Sequence, residues 1–341
     1  MKLRFDELNL ELRHTFRISR SAEDFARNVL VVVEDGGTEG FGEAAPSEYY
    51  KQNQKTVLKA LGKIAPLLVD KDPFQIEEIV TLLVTQFPND LSAVAAVDIA
   101  VHDLVAKKLR IPLYKLFGLS KENTPKTSFT IGIDSIEKML AKLKEAAGYP
   151  ILKLKVGFEN DMEAVAAIRE QTDAVIRVDA NCAWNVEEAI EKIYALSAYN
   201  IEFVEQPVAP GDPEALRKVR ENVTIPVITD ESSVLPEDIP QLYGCVDGIN
   251  IKLTKCGGLR QALKMIHAAK SAGLKVMLGC MIESSISVTA AAQLSPLVDY
   301  ADLDGNLLIK NDPFRGVLVE NGKLILPDSH GIGVSGNING S

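Results

Sequence analysis

The chain has 341 residues, enough for one large domain or for a barrel with a smaller companion. A net charge of −10 argues against non-specific binding to nucleic acid or to an anionic membrane, and no stretch reaches the ~18 consecutive apolar residues of a membrane span. Four scattered cysteines (Cys182, Cys245, Cys256, Cys280) form no C-x-x-C pair, so neither a zinc cage nor a disulfide framework is expected.

The opening MKLRFDELNLELRH alternates apolar and charged residues and carries no apolar core of a secretory leader. A reduced, cytoplasmic protein is the expectation. LRFDELNLEL has the period of a strand, and ARNVLVVVEDGGTEGFGEAAP reads as strand, tight turn at Gly36-Gly37, strand. Helical spacing follows in QKTVLKALGKIAPLLV and in DLSAVAAVDIAVHDLVAKKL, with Asp90 as the expected N-cap of the second. Residues 1–124 therefore predict an α+β domain.

From residue 125 the pattern changes. TSFTIGI, PILKLKVG, AVIRVDAN, IEFVEQP, IPVITDES, VDGINIKL, KVMLGCMIE and DYADLDG are eight short apolar runs separated by helical stretches; only VLPEDIPQLYG, before the sixth, is too short for more than a turn or two. That alternation predicts an α/β fold, a TIM-like barrel over residues 125–312. Residues 313–341 predict a hairpin and tail returning to the first domain.

ILKLKVG places Lys153 and Lys155 on one face of an otherwise apolar strand. Polar residues recur at the ends of later strands: Asp179 and Asn181, Glu205 and Gln206, Asp230 and Glu231, Lys252, Glu283, Asp302 and Asp304. From Lys155 to Lys252 they stand 22 to 26 residues apart, one strand–helix unit each. Each alone has an ordinary explanation as a turn residue, a cap or a solvated strand face. Together they mark the C-terminal mouth of a barrel, where barrel enzymes carry their active sites.

Asp179, Glu205 and Asp230 are carboxylates on three adjacent strands with no His or Cys among them. Such a set suits a hard octahedral cation, Mg²⁺ with Mn²⁺ as the alternative. The lysines flank it on both sides. A metal-bound substrate carboxylate has an acidified α-proton, so one lysine can remove it and the opposite one return a proton to the other face. The neighbouring charge and partial burial are expected to lower a lysine pKa in the Lys153/Lys155 pair. Lys155 is the expected base, and Lys153 is expected to help bind the substrate carboxylate.

GFGEAAP, AVDIAVHDLVAKKLRIPLYKLFG, ILKLKVG, RVDAN, VEQP, ITDES and INIKLTKCGG together resemble the enolase superfamily, muconate-lactonizing subgroup, over nearly the whole chain. The resemblance implies a capping α+β domain, a (β/α)7β barrel, one Mg²⁺ per subunit on those three carboxylates, and Lys155 and Lys252 as the acid/base pair. The mandelate-racemase branch has a His–Asp pair where Lys252 stands, and none of the four histidines here falls at a barrel strand end. YADLDG resembles the D-x-D motif of dipeptide epimerases, whose acids hold the substrate's ammonium group; Asp302 and Asp304 would do so here.

The resemblance further implies that RHTFRISRSAEDF is a loop folded over the mouth. Arg20, or alternatively Arg17, would meet a glutamate side chain there. Tyr49 and Tyr50 would line the pocket. Thr130, Glu283 and Ser284 are further candidate substrate contacts, with Asn181 and Glu231 behind the metal ligands. The expected activity is epimerisation of a dipeptide at its C-terminal α-carbon, foremost L-Ala-D/L-Glu. Epimerisation of hydrophobic or cationic dipeptides, N-acylamino acid racemisation and o-succinylbenzoate synthesis stand as alternatives within the subgroup. A barrel that only binds acidic metabolites is the non-catalytic alternative. A homo-oligomer is expected.

Overall fold

The computed structural model describes residues 1–336; residues 337–341, the end of the expected tail, lie outside the described residues. Strands β1 (Lys2–Ile18), β2 (Ser21–Asp35) and β3 (Thr38–Ala44) form an antiparallel meander. Gly36 and Gly37 (φ 59° and 78°) join the paired residues Asp35 and Thr38, a two-residue turn in which both positions need positive φ. The expected loop over residues 13–25 is instead the end of the β1–β2 hairpin, strand on both sides of a turn at Ser19-Arg20. After a register shift between Glu11 and Phe16, β1 and β2 pair again to Ile18–Ser21. The T-F-R-I alternation continues the strand period, and a bulge absorbs the extra residues.

Helices α1 (Gln54–Ile64), α2 (Ile76–Gln86) and α3 (Leu91–Leu109) cover the sheet. α1 stops short of the expected Val69 and continues as a 3₁₀ turn over Ala65–Leu68, where Pro66 has no amide proton to donate. Asp90 occupies the N-cap position of α3 without a side-chain bond. The Ser92 amide donates instead to Gln52 Oε1 at 3.0 Å, so the cap comes from a distant segment. Every residue from Leu91 to Ala106 is buried. β3 lies so close to α3 that a Cβ on Gly42 would sit 1.9 Å from the Ala96 carbonyl oxygen, which explains G-F-G in that strand. A short helix, α4 (Leu113–Leu116), leads out.

The barrel strands are β4 (Phe129–Ile131), β5 (Ile151–Lys155), β6 (Val175–Asp179), β7 (Ile201–Glu205), β8 (Val227–Thr229), β9 (Gly248–Lys252), β10 (Lys275–Gly279) and β11 (Tyr300–Asp302). They pair in sequence order, all parallel. A parallel bridge between Thr127 and Ala301 closes the ring. The crossovers carry α5 (Ile136–Glu145), α6 (Asp161–Arg169), α7 (Val186–Leu196), α8 (Pro213–Glu221), the one-turn α9 (Ile239–Leu242), α10 (Leu253–Cys256) with α11 (Leu259–Ser271), and α12 (Ser285–Ala292). Eight strands with seven crossovers make a (β/α)7β barrel. α9 is the short helix expected in VLPEDIPQLYG.

Beyond the barrel, β12 (Phe314–Arg315), β13 (Leu318–Glu320), β14 (Lys323–Ile325) and β15 (Ser335–Gly336) form two small antiparallel pairs. This segment touches the first domain and the barrel alike. The Leu113 amide donates to the Gly331 carbonyl at 2.8 Å and the Ile332 amide to Asp103 Oδ1 at 2.7 Å, while Gln293 Nε2 donates to the Ile332 carbonyl at 2.9 Å. Among the described residues no helix is long and apolar enough to cross a membrane.

Candidate active site

Strand alternation builds the site. On β5, Leu152 and Leu154 join the apolar core, which turns Lys153 and Lys155 toward the barrel axis. Lys153 Nζ donates to Asp302 Oδ2 at 2.6 Å and lies 2.7 Å from Glu205 Oε2 and 3.1 Å from Asp179 Oδ2. Lys155 Nζ bonds Asp179 Oδ2 at 2.6 Å, and Lys252 Nζ bonds Asp230 Oδ2 at 2.7 Å. β5 and β9 stand four strands apart in a ring of eight, so Lys155 and Lys252 reach the axis from opposite sides. Both line one cavity of about 770 Å³ at the C-terminal mouth.

The electrostatics depart from the expected lysine pair. Burial by itself would lower the Lys153 pKa, but Asp302, Glu205 and Asp179 outweigh it and hold Lys153 well above the usual lysine value. Lys153 is the cation that ties three carboxylates together. Burial likewise works against the charge on Lys252, yet Asp230 raises its pKa. Burial and then Asp179 push Glu205 up, against the pull of Lys153. Asp179 and Asp230 move the other way. Burial raises them, but Lys155 and Lys153 at the first, and Lys252 and Lys255 at the second, hold both below the carboxylate range.

Lys255 was not foreseen. Its ammonium donates to Asp230 Oδ1 at 2.8 Å, to the Asp230 carbonyl at 2.5 Å and to the Asn250 carbonyl at 2.9 Å. The K-x-x-K spacing of Lys252 and Lys255 across α10 was the available signal. Asn250 Nδ2 donates to Glu205 Oε1 at 2.7 Å, and its inward place on β9 could have been read from Lys252 two residues on.

The donor set fits a divalent cation. Asp179 and Glu205 end β6 and β7, Asp230 directly follows β8, and the three offer only hard oxygen. Among the described residues, the buried oxygens Glu205 Oε2, Asn181 Oδ1, Glu231 Oε2 and Asn250 Oδ1 receive no hydrogen bond; the Lys153 contact to Glu205 Oε2 is an ion pair outside hydrogen-bond geometry. Among the same residues no three acidic, imidazole or thiol groups are drawn into a ready-made cage. The ammonium groups of Lys153, Lys155 and Lys252 lie against those carboxylates.

Asp302 and Asp304 both line the cavity. β11 ends at Asp302, and Asp304 opens a 3₁₀ turn over Gly305–Leu308. Asp302 Oδ1 accepts from Ser128 Oγ at 2.5 Å, another contact the sequence reading missed. Asp304 Oδ2 accepts from the Thr130 amide at 2.6 Å, and Thr130 also faces the cavity. Burial and then Asp302 push Asp304 up, against the bonds from Thr130.

The β1–β2 ribbon puts Arg20 at the cavity wall. Its guanidinium donates to Glu231 Oε1 at 2.6 Å and to the Asn181 carbonyl at 2.9 Å, and lies 4.2 Å above the Tyr49 ring. Tyr49 and Tyr50 line the cavity from the 3₁₀ turn Glu48–Tyr50; Arg17 does not line it. Asn181, at φ 45°, is held by the hydrogen bond its backbone amide donates to Asp179 Oδ1 at 2.9 Å.

Two expected contacts fall elsewhere. β10 ends at Gly279, so Glu283 lies in the following loop, buried, with Oε1 accepting from the Met281 amide at 3.1 Å. Burial and then the nearby Glu43 push its pKa up to about 8. Ser284 caps α12 and gives its hydroxyl to Glu43 Oε2 at 2.6 Å. Neither residue lines the cavity; Ser284 is turned to Glu43 and Glu283 to the Met281 amide.

Comparison with known proteins agrees with this geometry. Residues 4–118 match the mandelate racemase / muconate lactonizing enzyme N-terminal domain, and residues 136–338 the enolase C-terminal domain-like family. The L-Ala-D/L-Glu epimerase of Bacteroides thetaiotaomicron is 45% identical, over 98% of this chain and 88% of that protein. The L-Ala-D/L-amino acid epimerase of Flavobacterium johnsoniae is 39% identical over 98% and 99%. The dipeptide epimerase of Cytophaga hutchinsonii, solved with Mg and D-Ala-L-Val, superposes with a TM-score of 0.94 at 30% identity, covering 99% of this chain and 96% of that one. This chain belongs to the mandelate racemase / muconate lactonizing enzyme family of the enolase superfamily.

Proposed function

We propose that the protein is a Mg²⁺-dependent dipeptide epimerase that inverts the α-carbon of the C-terminal residue, with L-Ala-D/L-Glu as its foremost substrate. The observation that carries this reading is the placement of Lys155 and Lys252 on opposite sides of one cavity, with three carboxylates between them and Asp302/Asp304 beside them. Asp179, Glu205 and Asp230 would hold one cation per subunit. When bound, Mg²⁺ stabilises the negative charge that gathers on the substrate carboxylate as the α-proton leaves.

The remaining roles belong to the chain. Asp302 and Asp304 receive the substrate ammonium, which fixes the peptide's direction. The α-carbon then lies between two amines. The neutral lysine takes the α-proton onto Nζ, and the protonated one delivers a proton to the opposite face. Exchange of roles between Lys155 and Lys252 runs the reaction backward. Lys153 keeps the carboxylates gathered. Asn181 and Glu231 position the ribbon tip. The burial of these charged side chains strengthens each of these interactions. A homo-oligomeric, cytoplasmic enzyme belongs to the same reading.

Arg20 supports a glutamate side chain, as does the identity to the Bacteroides relative. Its pairing with Glu231 favours a second reading, in which an already neutralised Arg20 leaves the pocket open to uncharged side chains. ¹H NMR in D₂O with Mg²⁺ separates the two. The panel is L-Ala-L-Glu, L-Ala-L-Leu, L-Ala-L-Lys and an N-acylated amino acid. Loss of the C-terminal α-proton signal with L-Ala-L-Glu alone supports the first reading, and equal loss with L-Ala-L-Leu supports the second. Loss only with the acylated compound points to racemisation, and silence across the panel sinks the epimerase reading.

A further inference from the structure

The capping domain meets the barrel through two buried carboxylates that cap barrel helices. Asp98 on α3 accepts from the Leu259 amide and, at 3.3 Å, from the Arg260 amide, the first residues of α11. Glu43 on β3 does the same for α12. It accepts from the Ser284 amide at 2.9 Å (Oε1) and 3.1 Å (Oε2), from the Ser287 amide at 3.3 Å and from the Ser284 hydroxyl at 2.6 Å. The first amides of a helix have no partner within it, and a carboxylate there also meets the positive end of the helix dipole. Glu43 is fully buried and forms no ion pair among the described residues; these bonds and one from Asn28 are its compensation.

The two caps differ in what precedes the helix. Residues 253–258, ahead of α11, contribute nothing to the wall of the substrate cavity. Residues 280–282, ahead of α12, contribute Cys280, Met281 and Ile282. Asn28 reinforces the second cap, since its Nδ2 donates both to Glu43 Oε1 at 2.7 Å and to the Ile282 carbonyl at 3.0 Å. Asn28 itself faces the cavity.

We infer that Glu43, in the capping domain and out of reach of substrate, is a positioning residue that fixes the 280–284 segment and so sets the wall against which the substrate packs. The inference rests on the reading of this cavity as the dipeptide site. Removing the anion lets that segment drift, so ground-state and transition-state binding weaken together while the lysines stay in place.

The test is Glu43→Gln, which replaces one accepting oxygen with an NH₂ donor facing the amides of Ser284 and Ser287. With the dipeptide that the parent enzyme turns over best, KM is expected to rise about tenfold and kcat to stay within about threefold. Amide hydrogen exchange at Ser284 and Ser287 is expected to quicken in the substrate-free protein. Ser284→Ala, which keeps the anion and loses one donor, should move both readouts less and in the same direction. It carries the test if Glu43→Gln does not fold. Asp98→Asn, the same kind of cap at α11, should lose thermal stability and keep KM. An unchanged KM in Glu43→Gln overturns the inference, as does an equal rise in Asp98→Asn, which would reduce Glu43 to domain docking. If the parent enzyme exchanges no dipeptide, the functional reading fails on its own. The amide exchange of Ser284 and Ser287 then still decides whether Glu43 holds the segment.

Discussion

The same barrel strands build two interior layers of opposite character. Deep in the barrel, Phe203, Ile228 and Met277 pack with Tyr300. Two residues further along three of those strands stand Glu205, Asp230 and Asp302. In the lower layer Arg177 lies 5.1 Å over both the Phe203 and Tyr300 rings and pairs with Glu202 at 2.7 Å. In the upper layer almost every inward side chain is charged and buried. The lower layer is held by volume and shape, so similar substitutes would be tolerated. The upper layer is held by compensation, because a buried charge without its partner is costly. Function therefore sits where the barrel is least able to absorb change.

Loss of either opposed lysine should have the largest effect. Lys155→Ala and Lys252→Ala are each expected to reduce epimerisation by about 10³-fold. Circular dichroism should remain that of the parent. Full activity in a folded, metal-loaded variant would remove the two-base mechanism. In the lower layer, Phe203→Ala should cost about 3–5 kcal/mol of stability in a denaturant titration, with kcat of the folded fraction within a fewfold of the parent. A comparable loss of kcat at unchanged stability would erase the distinction between the layers.

Cation binding should act on the upper layer alone. Mg²⁺ at a hundredfold its Kd should raise unfolding stability by about 2.7 kcal/mol, chelation should reverse the gain, and Asp230→Asn should largely abolish it. An equal Mg²⁺ response in Asp230→Asn would place the ion elsewhere.

The smallest effect lies outside both layers. His102 is buried on α3 with Nδ1 2.9 Å from the Asp98 carbonyl oxygen and 3.2 Å from Asp98 Oδ1. Burial disfavours its charge, but Asp98 outweighs burial and raises the pKa above 6.5. The folded state then binds the proton more tightly than the unfolded one. This contribution is fully present below about pH 6.5 and is lost as pH rises through the higher folded value. Tm should fall over that window in the parent and stay flatter in His102→Asn. A parent profile rising with pH over the same window would contradict the assigned shift.

The barrel and its mouth were largely legible in the sequence because both depend on short-range order. Period two in ILKLK and in GINIK names the inward residues, and the spacing of one strand–helix unit puts Lys155, Asp179, Glu205, Asp230 and Lys252 at one height. The ribbon over residues 13–25 was misread as loop because its bulge interrupts the alternation at Glu11–Phe16. Glu283 and Ser284 were misplaced because β10 ends four residues before Glu283, and alternation carries no information past a strand end.

The sequence by itself determined which residues face the barrel axis and which chemistry they bring, since backbone periodicity and residue type are local properties. Only the tertiary structure decided the pairing. Lys153 became the hub of three carboxylates, Lys255 a second cation on Asp230, Arg20 the partner of Glu231, and Glu43 the cap of a helix 241 residues away. Each of these pairings depends on distances between segments that no local pattern relates. In a buried, low-dielectric mouth, an ångström between opposite charges outweighs the propensity of either residue.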